Sequence, residues 1–519
     1  MPNYKVTSTA QGIFTPVHLS YQIQSGTFEY TLHHLIDNAL DLSELESRYQ
    51  NDKTGAPAYD PRILLKIVLL AYSRGIIHSR KIARACVDNM VFRALSADTK
   101  PHFTTIAGFI SNMDKATIKI FRDILMFCDE RGLIGKEMFA IDGCKISSNA
   151  SKEWSGTMSE LSRKAEKMEK AIEELVNRHY RADSAGTDQE MKKRDEKYII
   201  TLKKQMNKLK EFMANHVDKP GKTGKPRKSN VTDNDSAKMK SSKGILQGYC
   251  AIAAADSKYQ VIVNAAAYGN GSEQDTLEPM IEGVESNFSQ KDLADSKWTA
   301  DSGFHNEENM KMLANKGLDA YIADNQMRKR DPGFTDYGRY KERHRKERAA
   351  FEGRSGLFKV DDFTFAEDLS YAICPAGKKM YRSGSNVDDG KFLSHRFKGP
   401  KSACVPCHLR TQCLRKPEKT EIRQVSCFHG RSVKGKGSFT EKMKHKIDSD
   451  VGRFIYGKRL GTVEPVFANI GNTMGMNRFT MRGKAKVNSQ WLLYCIVHNI
   501  GKIHRYGGSL PDGQKELIN

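Results

Sequence analysis

An α/β fold is predicted by two observations: apolar runs of strand length alternate with helical stretches, and two of the runs end in aspartate. From residue 138 onward the order is strand, long charged insertion, strand, strand, helix, strand, helix, strand. The runs are Met138–Ile141, Ile245–Ala255, Tyr259–Ala265, a helix holding Leu277, Met280 and Ile281, a strand ending at Asp301, a helix from Glu307 to Asn315, and Leu318–Ala323. Short runs rich in β-branched and aromatic residues suit buried strands, and this order fits a ribonuclease-H-like α/β core. At 519 residues the chain exceeds what one core fills, so further domains are expected around it.

Charge narrows the partner. A formal net charge of +22 favours a polyanion, either nucleic acid or an anionic membrane surface. The longest apolar run, Ile63–Tyr72, is too short to span a bilayer and carries Lys66 in its middle. The first residues, Met-Pro-Asn-Tyr-Lys, lack the apolar stretch of a signal peptide, so the expected location is the cytoplasm, with no membrane partner. Ten cysteines in a chain of this length do not make a disulfide scaffold; clustered ones read as metal ligands or core residues. Composition alone equally describes a basic nucleic-acid binder without catalysis.

Residues 1–130 read as an N-terminal helical domain. Asp60-Pro61 opens a helix in the expected order, Gly75 closes it, and Ser79 is placed to cap Arg80–Cys86. Lys100-Pro101 then precedes Thr104–Met113. Short helices with tight turns and surface cations suit a helix-turn-helix-like DNA reader, and a plain helical packing domain fits the same pattern.

The core's first part is expected over 131–323, interrupted by a helical hairpin (152–216) and a basic linker (217–240). In the hairpin, Leu161, Ala165, Met168, Ile172 and Leu175 form one apolar seam, and Tyr198, Leu202, Met206, Leu209 and Met213 form another. A turn at Ala182–Gly186 separates them. Lys219–Lys228 is punctuated by proline and glycine; despite Gly-Lys-Thr it lacks the P-loop spacer. Asp233 and Asp235, which follow, are rival metal ligands or members of a polar loop. After Asp142, the polar stretch Lys145–Lys152 suits either phosphate contact or a solvated loop.

A basic insertion is expected over 324–450, including Arg328–Arg330 and Lys341–Arg348. Within it, Cys374, Cys404, Cys407 and Cys413 meet the ligand count of a closed tetrahedral zinc site, with Cys427, His408 and His429 as substitutes for any one of them. Reduced, metal-free core cysteines are the alternative. The segment 451–519 returns to the core, and Val487, Trp491, Leu492, Cys495, Ile496 and Ile500 form an apolar stripe that reads as core.

Three acids carry the chemistry. Asp142 lies in Phe-Ala-Ile-Asp-Gly, Asp301 in Trp-Thr-Ala-Asp-Ser-Gly, and Glu464 in Tyr456-Gly-Lys-Arg459-Leu-Gly-Thr-Val-Glu464-Pro-Val-Phe. Asp-Gly after a strand is by itself more often a turn, and only a fold could gather acids separated by more than a hundred residues. With Tyr456 and Arg459, these residues resemble the DDE transposases of bacterial insertion sequences. The closest similarity is to the insertion-sequence eleven-eighty-two family, related to the IS-four and IS-five groups. It runs from about residue 20 to about residue 505.

The resemblance implies a ribonuclease-H-like core with the third acid on a helix. It implies two magnesium or manganese ions, with Asp142 bridging both and Asp301 and Glu464 each holding one, and Arg459 on phosphate. Three carboxylates suffice to hold two such ions for in-line displacement at phosphorus. The implied partners are double-stranded terminal inverted repeats and target DNA, bound by a homodimer in the bacterial cytoplasm, at the nucleoid. Tyr456, Arg459, Arg478, Arg482 and Lys484 are the expected DNA contacts. The sequence departs from the broader pattern at two points: four residues rather than three separate Arg459 from Glu464, and Gly471 stands where a lysine is expected. Arg478, Arg482, Lys484 or Lys486 are the substitutes for that lysine. A metal-dependent nuclease or resolvase, and an inactive DNA-binding regulator, remain the competing readings.

Overall fold

The computed structural model describes residues 16–49, 57–183, 189–221, 224–241, 244–334, 356–388, 392–431 and 438–508. The Lys341–Arg348 run, part of the hairpin turn (184–186) and Lys222-Thr223 lie outside them. The chain divides into two compact units: Met1–Ala300 with Gly457–Asn519, and Asp301–Tyr456.

The first unit is built on the strand Met138–Ser147, whose first half is fully buried. It pairs antiparallel with Gly244–Asp256 along its whole length, from Phe139↔Asp256 to Ser147↔Gly248. It pairs parallel with Lys297–Ala300 over four rungs only, the last being Ile141↔Ala300. The Asp142-Gly143 dipeptide is therefore no turn. The antiparallel ladder continues through it, because Ala253 and Ile252 supply partners that a local turn would forgo. Gly143 leaves little room there: a Cβ would sit 3.0 Å from Cys250 Sγ and 3.2 Å from Ile252 Cγ1, so those side chains would have to shift.

The other edge of Gly244–Asp256 is shared. Ala237–Ser241 pairs with its first residues and Ile262–Tyr268 with its later ones, both antiparallel. The expected hairpin is present, and its turn puts Gln260 at φ +59. Asp256 organises the turn, accepting from the backbone amides of Gly135, Lys136 and Lys258 at 2.8–3.0 Å. Three donors on one carboxylate explain how an aspartate tolerates complete burial.

The helix Lys484–Tyr506 decides how this sheet is covered. A helix against one layer shows one apolar stripe; here nearly every residue from Val487 to Ile503 is buried, as in a helix covered on several sides. The expected stripe is core. Trp491 Nε1 donates to the carbonyl of Ile252 at 3.0 Å. Asn488 accepts from the amide of Ala267, and Asn499 both accepts from and donates to the backbone of Ile262. Two asparagines three helical turns apart thus satisfy an edge strand that would otherwise be open.

The helices expected as an N-terminal domain belong to this same unit. They are Phe28–Asn38, Pro61–Ser73, Ser79–Asp88, Met90–Leu95, Phe103–Ser111 and Asp114–Glu130, with the short Ser43–Glu46. Tyr72 stacks on Tyr494 of the covered helix at 4.5 Å between ring centroids, and Arg131 donates to the carbonyl of Gly507. Asp60 caps Pro61–Ser73 through the amide of Arg62, as the Asp-Pro order implies. Ser79 is the first helical residue rather than the cap, since the chain turns extended one residue earlier, at His78. Lys66, inside the apolar run, is 6% exposed and donates to Asp37 at 2.6 Å, which compensates a buried cation.

The hairpin forms two antiparallel helices, Met158–Asp183 and Gln189–Asn215. Leu161, Ala165, Leu209 and Phe212 bury against each other and against Val231 at its base.

His498 lies in the covered helix, donating from Nε2 to the carbonyl of Gln260 (2.9 Å) while Nδ1 accepts from Asn469 (3.0 Å). Burial holds it neutral, with its pKa lowered from 6.5 to about 3. A depressed histidine pKa means that the unfolded chain binds the proton first, so its stabilising effect is complete above pH 6.5 and erodes as pH falls. Unfolding midpoints should drop on acidification, by the equivalent of about 2 kcal/mol near pH 5. His498→Gln should flatten that slope between pH 6.5 and 5; an unchanged slope would assign it to other groups.

The second unit holds a five-stranded antiparallel sheet, ordered Gln424–Arg431, Phe392–Lys398, Lys379–Asp388, Tyr371–Ile373 and Thr364–Phe365. Phe363, Ala372, Met380, Phe397 and Val425 form its core. Elsewhere in the unit, Arg330 bridges Asp324 and Asp448, and Glu307 caps the helix Phe439–Asp448 by accepting from the amides of Phe439 and Thr440.

Candidate active site

Asp142 sits on the central strand one residue past the last parallel rung, where its side chain keeps 21% of its exposure. The rung pairs Ile141 with Ala300, and Asp301 is the next residue after Ala300. Both acids thus stand one position beyond the end of the same short parallel ladder. That is the carboxyl end, where open α/β sheets present their chemistry. Asp301 is the first residue of the second unit and is half-buried, opening the short turn Ser302–Phe304.

The Asp142 carboxylate is held from two sides. Gly143 N donates to Oδ1 and Arg459 Nη1 donates to Oδ2, both at 2.7 Å. Arg459 is 5% exposed. It lies in the interior, paired with the acid. The pairing has a physical basis: an arginine so enclosed needs a carboxylate close by, and a carboxylate at a strand end needs its charge balanced.

Arg459 belongs to the helix Asp450–Ala468, which also carries Tyr456 and Glu464. Tyr456, half-buried, is one turn before Arg459 and belongs to the second unit. Glu464 is five residues after Arg459, roughly 140° around a helix with 3.6 residues per turn. Glu464 accordingly faces solvent, while Arg459 faces Asp142. The extra residue between them has this consequence; a spacing of four would have put both on one face. Next to Glu464, Pro465 lies inside the helix and cannot donate to the carbonyl of Gly461; Gln260 Nε2 donates to that carbonyl instead, at 3.3 Å. A five-residue π-turn, Asn469–Thr473, follows and includes Gly471, around which a Cβ would meet nothing within 4 Å.

The proposed replacements for the absent lysine lie along the exit of the central strand. Arg478 Nε donates to the carbonyl of Ser148 and Arg482 Nε to that of Asn149, while Asn149 donates to the carbonyl of Thr480. Both arginines and Lys484 remain exposed. Ser148 lies about 20 Å along the strand from Asp142 at ~3.3 Å per residue, so these cations stand well away from that acid. Ser148 itself turns inward and donates to the carbonyl of Gln247, which removes it from any surface phosphate site.

The rival acids have another task. Asp233 accepts from Tyr249 Oη (2.8 Å) and from the amide of Gly483 (3.1 Å), and Asp235 accepts from the amide of Lys484 (2.8 Å). They cap the covered helix, where free amides and the helix dipole favour anions. Cys144, two residues from Asp142, is no nucleophile: burial, then the carboxylates of Asp142 and Glu273, push its thiol up to about 12.

Beneath the helix, Gly135, Glu137, Ser257, Lys258, Lys458, Gly461 and Thr462 line a cleft of ≈ 500 Å³ at the amino end of the central strand. Among the described residues no three His, Cys, Asp or Glu side chains are gathered as a metal-ligand set. The structure thus joins Asp142 to Arg459, and leaves Glu464 outside that pair.

Residues 373–504 match the family described as Transposase DDE domain, and residues 17–112 match that described as Transposase domain (DUF772). These matches support a DDE transposase of the insertion-sequence type. The DDE match contains Tyr456, Arg459, Glu464 and the four cysteines, and excludes Asp142 and Asp301. The other match spans the helices from Phe28–Asn38 to Phe103–Ser111, so a transposase-type segment packs on the helix that covers the sheet. A transposase implies DNA as partner. No curated protein and no solved structure matches the chain. No helix of the described residues is long and apolar enough to cross a membrane.

Proposed function

We propose that this protein is a transposase of the insertion-sequence eleven-eighty-two type, which binds terminal inverted repeats in the bacterial cytoplasm as a homodimer and cuts and joins DNA. The observation that carries the reading is the register of the parallel ladder, which sets Asp142 and Asp301 each one residue past the Ile141↔Ala300 rung. The strand order supports a ribonuclease-H-like core. Ile262–Tyr268, Gly244–Asp256, Met138–Ser147 and Lys297–Ala300 lie side by side with two antiparallel pairings and one parallel.

Hard oxygen donors of this kind fit magnesium or manganese, and Asp142, Asp301 and Glu464 would hold the ions. Bound there, divalent ions activate the attacking oxygen and stabilise the leaving one. The chain's own residues prepare that site. Arg459 fixes the Asp142 carboxylate and balances its charge. Glu464 completes the set by turning inward at the weak helical stretch between Gly461 and Pro465, where a glycine and a proline lower helix propensity. Arg478, Arg482 and Lys484 hold the flanking backbone, and the helices of 17–112 read the repeat.

The test uses labelled DNA carrying the sequences that flank the gene, with magnesium or manganese and a target duplex. Nicking at the element's ends followed by joining to the target is the expected result. Cleavage without joining would replace the reading by a nuclease or resolvase, and binding without cleavage by a regulator.

A further inference from the structure

We infer that the second unit binds one zinc ion through Cys374, Cys404, Cys407 and Cys413. These cysteines come from three places in the chain, and all four line a single cavity of ≈ 30 Å³. That space is enough for one ion or one water. Four cysteines around it match the donor number and softness of a structural zinc site. The choice among the cysteines is made by the cavity: Cys374 and Cys413 pack on the same core as Cys427, but neither Cys427 nor His408 is among the lining residues.

The cysteines also differ in setting from the chain's core cysteines. Cys86, Cys128, Cys250 and Cys495 are buried, as inert structural thiols usually are; these four are half-exposed and unpaired by disulfides. Local structure holds three of them in two knuckles. After Cys374, Pro375-Ala376-Gly377 turns back, with Gly377 at φ +70 donating to the carbonyl of Cys374, and Cys374 N donating to that of Lys378. At the second knuckle, Arg410 donates to the carbonyls of Cys404, Pro417, Thr420 and Glu421 and thereby fixes the Cys404–Cys407 turn. Gly399 leaves room for the thiol, since a Cβ there would lie 2.5 Å from Cys404 Sγ.

Charge is balanced as well. Four thiolates on a dication leave two negative charges, and Arg410 and Arg423 both line the cavity. Arg423 Nε is buried without a hydrogen-bond partner among the described residues, a donor that a ligating thiolate would satisfy. The sulfurs line the cavity without yet forming a ligand set, so ligation requires side-chain rotation onto the ion, with release of the thiol protons. The site tethers both knuckles to the five-stranded sheet and is independent of the carboxylate chemistry.

The experiment is metal analysis of the purified full chain after dialysis, with cobalt(II) as a spectroscopic substitute. We expect one zinc per chain and, with cobalt, the intense thiolate charge-transfer band of a tetrahedral site. Cys407→Ser should lose most of the metal, while Cys427→Ser and Cys250→Ser retain it. A wild-type chain that dialyses free of zinc and shows no charge-transfer band overturns the inference, without reference to any variant's folding. Equal metal loss in Cys427→Ser and Cys407→Ser overturns the ligand set. DNA cleavage by a zinc-free chain leaves the transposase reading standing, so the two fail separately.

Discussion

Asp142→Asn is expected to lower metal-dependent DNA cleavage by about a thousandfold or more, because it removes a charged metal ligand worth several kcal/mol at ~1.4 kcal/mol per tenfold. The same change also weakens the partner of an arginine that is 5% exposed, so stability should fall by about 1–3 kcal/mol. These two losses have different causes and can be separated. In Asp142→Asn/Arg459→Met the unbalanced cation is gone, and the unfolding midpoint should recover toward wild type while cleavage stays absent. Asp301→Asn should lose cleavage with repeat binding intact. If Asp142→Asn cleaves at near the wild-type rate and only its stability falls, the aspartate is merely the counter-ion of Arg459, and the catalytic assignment is wrong.

Trp491→Ala should give the largest loss of stability of any single change considered, about 3–5 kcal/mol. Trp491 is completely buried, donates to the carbonyl of Ile252, and stacks near Phe467 with ring centroids 6.2 Å apart. Its removal leaves a cavity between the sheet and its covering helix and strands a strand carbonyl. Trp491→Phe should fall between, keeping most of the packing and losing the hydrogen bond. Tyr506→Ala, at a residue 49% exposed near the end of the same helix, should change the midpoint little. Because the chain has two units, the comparison belongs on the unfolding transition that reports the first. A Trp491→Ala midpoint close to that of Tyr506→Ala would show that this helix does not hold the unit together.

Much of the architecture was legible before any coordinates. The hairpin strands, the Glu307–Asn315 helix, the paired helices of the insertion and the start of Pro61–Ser73 all occur where periodicity and capping residues put them. These are local features: side-chain alternation, a proline at the first helical position, and an apolar seam each act within a few residues. The stripe on the last helix was also legible as core. What it touched was not, since the same leucines and isoleucines pack equally well on a sheet or on helices.

The site divides along the same line. Sequence by itself determined which residue types are present: acids after strand-like runs, an arginine before Glu464, and four cysteines that meet the ligand count of a zinc site. Tertiary structure alone decided that the strand continues through Asp142-Gly143, because only Gly244–Asp256 offers the partners that a turn would lack. It also decided that Arg459 meets Asp142 across 317 positions of chain, and that Asp233 and Asp235 serve a helix end. Nothing in a linear pattern encodes which distant charge will neutralise a buried one. That choice is made where desolvation is costly and the nearest opposite charge is fixed by the packing of a sheet against its helices.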